Sequence, residues 1–244
     1  LTPGILGYSL LYPYSDNHLD RVDLSAEEKL AASGRFRERL RGDAPAPVNA
    51  WERAVWALVD LIEGQYPREI YPQVFDCLLA IHRGQEESLR QLRGGCSGAE
   101  LLRLSCTKGG TSVLADACLA QPELTEVESR FGFAWGVLLQ LGDDLQDVEE
   151  ELLRCSVTLF PRKIGEGLPL DALVTQLLTF SQQVTDRMDR LPHGSVLLKN
   201  LLRMSWRSLI LMAVAGIPQF FSKAFLAELE RCSAFRFDFL RARN

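Results

Sequence analysis

The chain has 244 residues, of which 47% are hydrophobic and 24% are charged, and its formal net charge is −5. This composition is typical of a globular protein with one sizeable core and excludes a disordered chain. The negative charge argues against a nucleic-acid-binding protein, because such a protein needs a basic surface. No stretch reaches the roughly 18 consecutive apolar residues of a membrane-spanning helix. We therefore expect a cytoplasmic protein with neither a transmembrane segment nor a signal peptide.

The cysteines and histidines carry little sign of metal chemistry. Six cysteines are scattered without a C-x-x-C pair, so we expect most of them to be small buried hydrophobic residues in a reducing compartment. The three histidines lack the spacing of metal ligands. A zinc site is therefore not expected.

Helical periodicity dominates the chain, and no segment alternates as a strand would. Four predicted helices begin at a capping box, in which Ser, Thr or Asn is followed three residues later by Glu. The four boxes are Ser25 with Glu28, Asn49 with Glu52, Ser97 with Glu100, and Thr125 with Glu128. Predicted helices cover approximately 25–40, 49–64, 67–93, 97–119, 125–153, 169–190, 194–215 and 218–241. Short loops between helices of this length predict an all-α fold, a single-domain antiparallel helical bundle over residues 1–244.

A first acidic pair, Asp16 and Asp20, precedes these helices. Residues four apart share one face if the segment is helical. Pro13 would then lie in the first turn or mark a bend into a short segment. Aspartate and asparagine are also common in loops, so the pair indicates a metal site only in combination with a second acidic cluster.

The second cluster lies on the predicted fifth helix, where Asp143, Asp147 and Glu151 are four residues apart and Asp144 is adjacent. Like charges at this spacing repel each other, so a cation should compensate them. Carboxylates without nearby histidine or cysteine favour Mg²⁺. The alternative is a solvated acidic face. The apolar stretch at 131–141 argues against it, because a helix buried there would carry the acids to the mouth of a cavity.

Two clusters of carboxylates suit a substrate with a diphosphate leaving group. Metal ions held by the clusters would neutralise the charge that develops as diphosphate departs. The hydrocarbon part then needs an apolar pocket that excludes water. The aromatic residues that could line such a pocket, or simply form the core, are Trp51, Trp56, Phe75, Phe131 and Trp135.

The acidic motifs resemble those of the class I isoprenoid (terpenoid) synthase superfamily. The segment 142–147 is similar to the second aspartate-rich motif of trans-isoprenyl diphosphate synthases, and the spacing of Asp143, Asp147 and Glu151 is that of the metal triad in terpene cyclases. The segment 16–20 resembles the first motif of squalene/phytoene synthases and of bacterial tetraprenyl-β-curcumene synthase-like proteins. The segment 82–88 is similar to the G-Q-x-x-D region of the superfamily. The resemblance covers approximately residues 8–170.

This resemblance implies a helical bundle around a central cavity and a Mg²⁺-dependent terpene synthase or prenyltransferase, a lyase or a transferase. Such an enzyme ionises a prenyl diphosphate to a carbocation, which then cyclises or condenses. It implies that several Mg²⁺ ions are held by Asp16, Asp20, Asp143, Asp144, Asp147 and Glu151. Asp16, Asp20, Asp143 and Asp147 are the implied catalytic residues.

The diphosphate-binding residues implied by the same resemblance are Lys108, Arg83 and Lys163. Lys108 belongs to the segment 105–112, which resembles a lysine-containing segment that contacts diphosphate where a helix is interrupted. Gly109 and Gly110 are expected to open the helix at a cost of about 1 kcal/mol each, so that backbone amides and Lys108 face a phosphate. A kink for packing is the alternative. Lys163 and Arg162 lie on a predicted basic loop.

Two departures from the family pattern affect these expectations. The first motif lacks a doubled aspartate, which disfavours head-to-tail chain elongation. Relatives also carry helices ahead of this motif, so either N-terminal helices are missing from this sequence or the activity is lost. A non-catalytic isoprenoid-binding relative or partner subunit is the main alternative, and a helical hydrolase acting on nucleotides is a third. A di-iron bundle is disfavoured because Glu-x-x-His pairs are lacking. Association with a membrane surface and formation of a homodimer stay open.

Overall fold

The computed structural model describes residues 2–19, 21, 23–91, 96–121, 123–154 and 158–241, with side chains left out for 88–91. Every regular element in these ranges is a helix, which confirms the predicted all-α class. The α-helices are α1 (Pro3–Leu19), α2 (Ala26–Arg41), α3 (Ala50–Gln65), α4 (Pro72–Gln91), α5 (Gly98–Ala120), α6 (Glu126–Gln146), α7 (Val148–Leu153), α8 (Leu159–Gly165), α9 (Asp171–Arg187), α10 (Val196–Gly216), α11 (Lys223–Arg231) and α12 (Phe237–Arg241). Short 3₁₀ turns cover Met188–Arg190 and Pro218–Phe220.

The predicted capping boxes explain where the first long helices begin. The Ser25 hydroxyl accepts from the Glu28 amide at 3.2 Å, and the Ser25 amide donates to the Glu28 carboxylate at 2.8 Å. The same reciprocal pairs open α5 and α6. At α3 the cap is one-sided, because the Asn49 side chain accepts from the Glu52 amide while the Glu52 carboxylate accepts from Val48 and Arg35.

Several predicted boundaries are wrong. Pro13 lies inside the 17-residue helix α1 rather than at its start, and α4 begins at Pro72 instead of near 67. The long helix predicted to reach 153 is broken between α6 and α7. The last predicted helix divides into a 3₁₀ turn, α11 and α12, and the segment after Thr158 is the helix α8 rather than a loop. Proline costs α1 one backbone donor, and packing of its buried residues against α3 compensates.

The chain divides into two compact units. The first unit comprises Leu1–Arg93 and Thr111–Ser129, and the second comprises Gly94–Gly110 and Arg130–Asn244. Each has its own apolar core: the first is built around Val55, Val59 and Ile62 of α3, and the second around residues such as Leu138 and Leu145 of α6. The assignment of 1–244 to one domain stays a prediction.

The cysteines follow the prediction only in part. Cys77 and Cys118 are buried, but Cys96 and Cys106 are half-buried and Cys232 is exposed. Cys155 lies outside the described residues. Among the helices that the structure describes, none has the length and apolar character to cross a membrane.

Candidate functional site

The predicted acidic ladder is retained in the second unit, although a helix break runs through it. Asp143 lies near the end of α6, Asp147 lies between α6 and α7, and Glu151 lies in α7. The Asp147 amide donates to the Asp143 carbonyl at 2.9 Å, and the Glu151 amide donates to the Asp147 carbonyl at 2.8 Å. These bonds keep the helical step of four residues across the break, so the three carboxylates stay on neighbouring turns.

Two carboxylates of this ladder, Asp143 and Glu151, hold their protons more tightly than isolated acids do. Burial and the charge of Asp147 raise the pKa of Asp143. Burial, followed by repulsion from neighbouring acids that include Asp144 and Asp147, raises the pKa of Glu151 from 4.5 to about 7. Crowded negative charges thus disfavour ionisation, and a bound cation would reverse this effect.

Asp144 is the buried member of the cluster, with a relative exposure of 6%. The Gln140 amide donates to one carboxylate oxygen at 2.8 Å, and the Ser105 hydroxyl donates to the other at 3.0 Å. Burial raises the pKa of Asp144, and the hydrogen bonds from Gln140 and Ser105, followed by the positive charge of Lys108, partly offset that rise. The predicted Lys108 segment and the predicted acidic motif therefore meet in the second unit.

The structure adds two positioning residues that the sequence reasoning missed. Ser105 fixes Asp144, and the Thr158 hydroxyl donates to the Glu151 carboxylate. Thr158 is also the residue before the first turn of α8. The position of Ser105, three residues before Lys108, was a usable signal because residues three apart share a helix face. The contact of Thr158 depends on the turn between α7 and α8, which no local pattern predicts.

The two glycines after Lys108 do not open the helix, so this prediction is wrong. Helix α5 is continuous through Gly109 and Gly110. A Cβ atom at Gly109 would lie 2.5 Å from the Gly136 carbonyl oxygen, and one at Gly110 would lie 2.5 Å from the Phe133 ring. The glycines therefore allow α5 to approach α6 closely, and their amides lie within the helix instead of facing a phosphate.

An apolar cavity of about 540 Å³ lies within the second unit. Helices α5, α6, α8 and α9 all contribute to its lining, and most of the lining side chains are aliphatic or aromatic. Those side chains include Leu102, Cys106, Leu141, Leu159, Phe160, Leu177 and Phe180. The volume and the lining are in the range of small-molecule binding sites.

The acidic cluster lies close in sequence to residues of this cavity, although its four acids are not among the lining residues. Asp144 belongs to the cluster, and Ser105 and Thr158 each donate a hydrogen bond to one of its acids. Each of these three residues is close in sequence to a residue that lines the cavity. Cys106 follows Ser105, Leu159 follows Thr158, and Leu141 precedes Asp144 by one helical turn. The apolar wall and the first two acids, Asp143 and Asp144, thus share helix α6, and Ser105 and Thr158 connect the acids to the chain segments that form the wall.

Basic side chains line the same cavity on α8. Arg162 Nε lies 3.2 Å from Glu166 but has no hydrogen-bond geometry with any described partner, although this atom is buried. Another nitrogen of Arg162 donates to the Cys96 carbonyl. Lys163 Nζ lies 3.2 Å from Glu166. The predicted basic pair is therefore located at the cavity, and Arg162 keeps a donor that an anion could use.

The first predicted motif lies in the first unit. Asp16 is in α1, half-buried, and accepts from the Gln85 side-chain amide of α4 at 2.6 Å. Two segments on which the resemblance depends, 16–20 and 82–88, therefore meet. The Tyr12 hydroxyl is buried and has no hydrogen-bond partner in the described part of the chain, and burial followed by nearby negative groups raises its pKa. Asp20 lies outside the described residues.

The rest of the 82–88 segment has a structural role. Glu86 is buried, pairs with Arg37 at 3.0 Å and accepts from Ser33 at 2.9 Å. His82 is buried beside Ser33, and burial lowers its pKa. Arg83, in contrast, is exposed. Its predicted contact with diphosphate stays a prediction.

The aromatic residues proposed as cavity lining belong to the cores. Trp56 and Phe75 are buried in the core of the first unit, and Trp51 packs against that core. Phe131 and Trp135 pack against the core of the second unit. The aromatic side chains at the cavity are Phe160 and Phe180 instead.

The donor set of the second unit fits Mg²⁺ that arrives with a phosphate-bearing ligand. Within the described residues no three His, Cys, Asp or Glu side chains form a ready-made ligand set. Magnesium does not require one, because it binds through one or two carboxylates and completes its shell with water and substrate phosphates. The exposed Asp143 and Asp147 and the half-buried Glu151 supply oxygen ligands of this kind.

Comparison with known proteins found no matching protein-family model, curated protein or solved structure. The resemblance to isoprenoid synthases therefore depends on the motifs quoted above and stays a prediction.

Replacing Glu151 by Gln is expected to stabilise the protein above pH 7. The pKa of Glu151 is higher in the folded chain than in the unfolded one, so the folded state binds the proton more tightly. Relative to Glu151→Gln, the wild-type protein should lose stability as pH rises from about 4.5 to about 7, and the difference should stay constant above that. Since the side chain is half-exposed, we expect roughly 1 to 2 kcal/mol at pH 8.

Urea unfolding of both proteins across this pH range measures the difference. Glu150→Gln is the matched control, because Glu150 is exposed and pairs with Arg154 on the surface of α7. It should change the free energy of unfolding by less than about 0.5 kcal/mol. Equal pH profiles for wild type and Glu151→Gln would show that burial and the neighbouring acids do not raise the pKa of Glu151.

Proposed function

We propose that this protein is a Mg²⁺-dependent enzyme of the class I isoprenoid synthase type, which ionises a prenyl diphosphate to a carbocation. One observation carries the proposal. In the second unit, an apolar cavity of about 540 Å³ is lined in part by cationic side chains and shares α6 with a cluster of carboxylates, of which Asp143 and Glu151 have raised pKa values. An elongated hydrocarbon with an anionic head is the substrate class that matches both halves of this site.

The cavity suits the hydrocarbon part of such a substrate. Its wall consists mainly of aliphatic and aromatic carbon. A prenyl chain that binds there would remove its apolar surface from water, which is favourable. The apolar lining offers water few hydrogen-bond partners, which would protect a carbocation from premature capture. Phe160 and Phe180 present aromatic rings to this space, and ring faces stabilise positive charge.

The diphosphate group of such a substrate matches the charged side chains of the site. Arg162 has a buried Nε without a hydrogen bond, and Lys163 lies beside it on α8. Lys108 lies near enough to Asp144 to lower the pKa of that acid. Charge-assisted bonds from these side chains would orient the diphosphate and stabilise the leaving group.

Asp143, Asp147 and Glu151 are the residues that would hold magnesium in the second unit. Bound Mg²⁺ supplies positive charge that neutralises the departing diphosphate. Asp144 accepts hydrogen bonds from Gln140 and Ser105 at its two oxygens, which positions the end of α6, and its role as a metal ligand stays a prediction. The metal roles of Asp16 and Asp20 stay predictions, as do the cytoplasmic location and the homodimer.

Turnover is the test of this proposal. The full chain is incubated with Mg²⁺ and a series of prenyl diphosphates from geranyl diphosphate upward, and the organic products and released diphosphate are analysed. We expect Mg²⁺-dependent release of diphosphate together with a cyclised, condensed or hydroxylated product. Nucleotides and ADP-ribose serve as the rival substrates. Hydrolysis of a nucleotide without turnover of any prenyl diphosphate would support the helical hydrolase instead.

The non-catalytic alternative predicts a distinct result. A prenyl-binding relative would be stabilised by a prenyl diphosphate but would release no diphosphate. Running a thermal melt on the same samples separates binding from turnover. Stabilisation without product would overturn the enzymatic proposal and retain only the binding site.

A further inference from the structure

Two cysteine thiols meet in the core of the first unit. Cys77 lies in the second turn of α4, and Cys118 lies in the last turn of α5. Both residues are buried, with relative exposures of 8% and 4%, and their side chains form a hydrogen bond with each other. The two sulfur atoms are therefore in direct contact, although the residues that carry them are far apart in the sequence.

The surroundings of this pair do not suit a metal ion. A metal site needs further ligands beside two thiolates, and within the described residues no three His, Cys, Asp or Glu side chains are grouped as such a site requires. The pair belongs instead to an apolar cluster, together with residues such as Val74, Leu78 and Leu119. Oxidation to a disulfide is the reaction that two touching thiols can undergo without a further side chain.

The two thiols are chemically different. The hydrogen bond from Cys77 lowers the pKa of Cys118, because it stabilises the Cys118 thiolate. The same hydrogen bond, followed by burial, raises the pKa of Cys77. Cys118 is thus the thiol that ionises first, and the thiolate is the form that attacks an oxidant. Cys77 remains as a second thiol in contact with the first.

The place of Cys118 in its helix favours closure of a bond. The sulfur atoms of a disulfide are about 2.05 Å apart, so the two thiols must come closer than they are in a hydrogen bond. Cys118 lies two residues before the end of α5 at Ala120. The last turn of a helix adjusts more easily than its middle, because its carbonyl groups lack partners within the helix.

We infer that Cys77 and Cys118 are a redox-sensitive pair, which a small peroxide oxidises to a disulfide that joins α4 to α5 within the first unit. The Cys118 sulfur attacks a peroxide oxygen, the O–O bond breaks, and a sulfenic acid and one water molecule result. The Cys77 sulfur then attacks the Cys118 sulfur and displaces a second water molecule. In total, the two thiols lose two electrons and two protons, and hydrogen peroxide becomes two water molecules.

Peptide mapping of the full chain tests this inference. The folded protein is treated with hydrogen peroxide, its remaining thiols are alkylated, and trypsin then places Cys77 in the peptide 69–83 and Cys118 in the peptide 109–130. We expect these two peptides to be joined, and to separate after reduction. The oxidised protein should melt roughly 5 to 15 °C above the reduced protein, because the cross-link restricts the unfolded chain.

Single variants separate the roles of the two thiols. In Cys77→Ser the sulfenic acid of Cys118 has no second thiol to react with, so dimedone, a reagent for sulfenic acids, should label Cys118. In Cys118→Ser, Cys77 should stay largely unlabelled, and peroxide should no longer raise the melting temperature. Cys232→Ser is the matched control, because Cys232 is exposed. It should form the same cross-link as the wild type.

Absence of the joined peptides at a peroxide concentration that oxidises the exposed Cys232 would overturn the inference and leave the pair as two small core residues. Joined peptides that form only in urea would also overturn it, because they would not arise from the folded arrangement. The mapping uses the wild-type chain, so its result does not depend on whether a variant folds. Neither outcome affects the turnover assay, because the pair has no part in the proposed enzymatic function.

Discussion

Asp143→Asn is expected to lower Mg²⁺-dependent turnover of a prenyl diphosphate by at least about a thousandfold, because a metal ligand is lost where leaving-group charge must be neutralised. The same change should leave the fold intact or slightly stabilise it. Although Asp143 is exposed, partial loss of its hydration and the charge of Asp147 raise its pKa, so removal of the charge relieves repulsion. Initial rates of diphosphate release and a thermal melt measure the two effects.

The control for Asp143→Asn is Asp76→Asn, which also removes an exposed aspartate from a helix, but in the first unit. It should retain the wild-type rate. Excess Mg²⁺ should recover part of the activity of Asp143→Asn if the remaining acids Asp147 and Glu151 still hold the ion weakly. Wild-type activity of Asp143→Asn at limiting Mg²⁺ would exclude a metal role for this residue.

Cys106→Phe is expected to shorten the longest prenyl diphosphate that the protein uses. Cys106 lines the cavity from α5, and a phenyl ring there would occupy space that a substrate chain needs. Loss of contact with one isoprene unit costs about 3 kcal/mol, or roughly a hundredfold in kcat/KM for the longer substrates. Shorter substrates should keep most of their rate, since the carboxylate side of the site is unchanged.

Relative kcat/KM values across the prenyl series measure this effect. Cys106→Ser serves as the size-matched control and should preserve the order of preference. An equal loss of rate for every chain length would indicate that Cys106→Phe disturbs the neighbouring Ser105 and Asp144 rather than the space for the chain. An unchanged preference would show that the substrate does not enter this cavity.

The helices with strong local signals could be predicted from the sequence. Three helices are capped by Ser25, Ser97 and Thr125, and the backbone amide of each donates to the carboxylate of the glutamate three residues later. These bonds depend only on residues that are close in sequence. Pro13 was misplaced because the packing of α1 against α3 outweighs the local cost of proline. The break at Asp147 was also missed, although the step of four residues that matters for the site survives it.

The chemistry of the site was predicted less completely than its position. The acids of α6 and α7 stand out because like charges follow an apolar stretch at helical spacing. The different environments of Asp143 and Asp144 were not predictable, because Asp144 is buried and its bond to Ser105 comes from another helix. The glycines after Lys108 were misinterpreted for a similar reason. Their close neighbours, Gly136 and Phe133, belong to another helix.

Thermal melting with inorganic diphosphate and Mg²⁺ tests the central claim most directly, because it requires neither a known substrate nor turnover. We predict that the two added together raise the melting temperature of the wild-type protein, that neither alone does so to the same extent, and that Asp143→Asn and Arg162→Gln each reduce the increase. The same increase in both variants as in the wild type, or no increase in the wild type, would contradict a metal and diphosphate site at the end of α6.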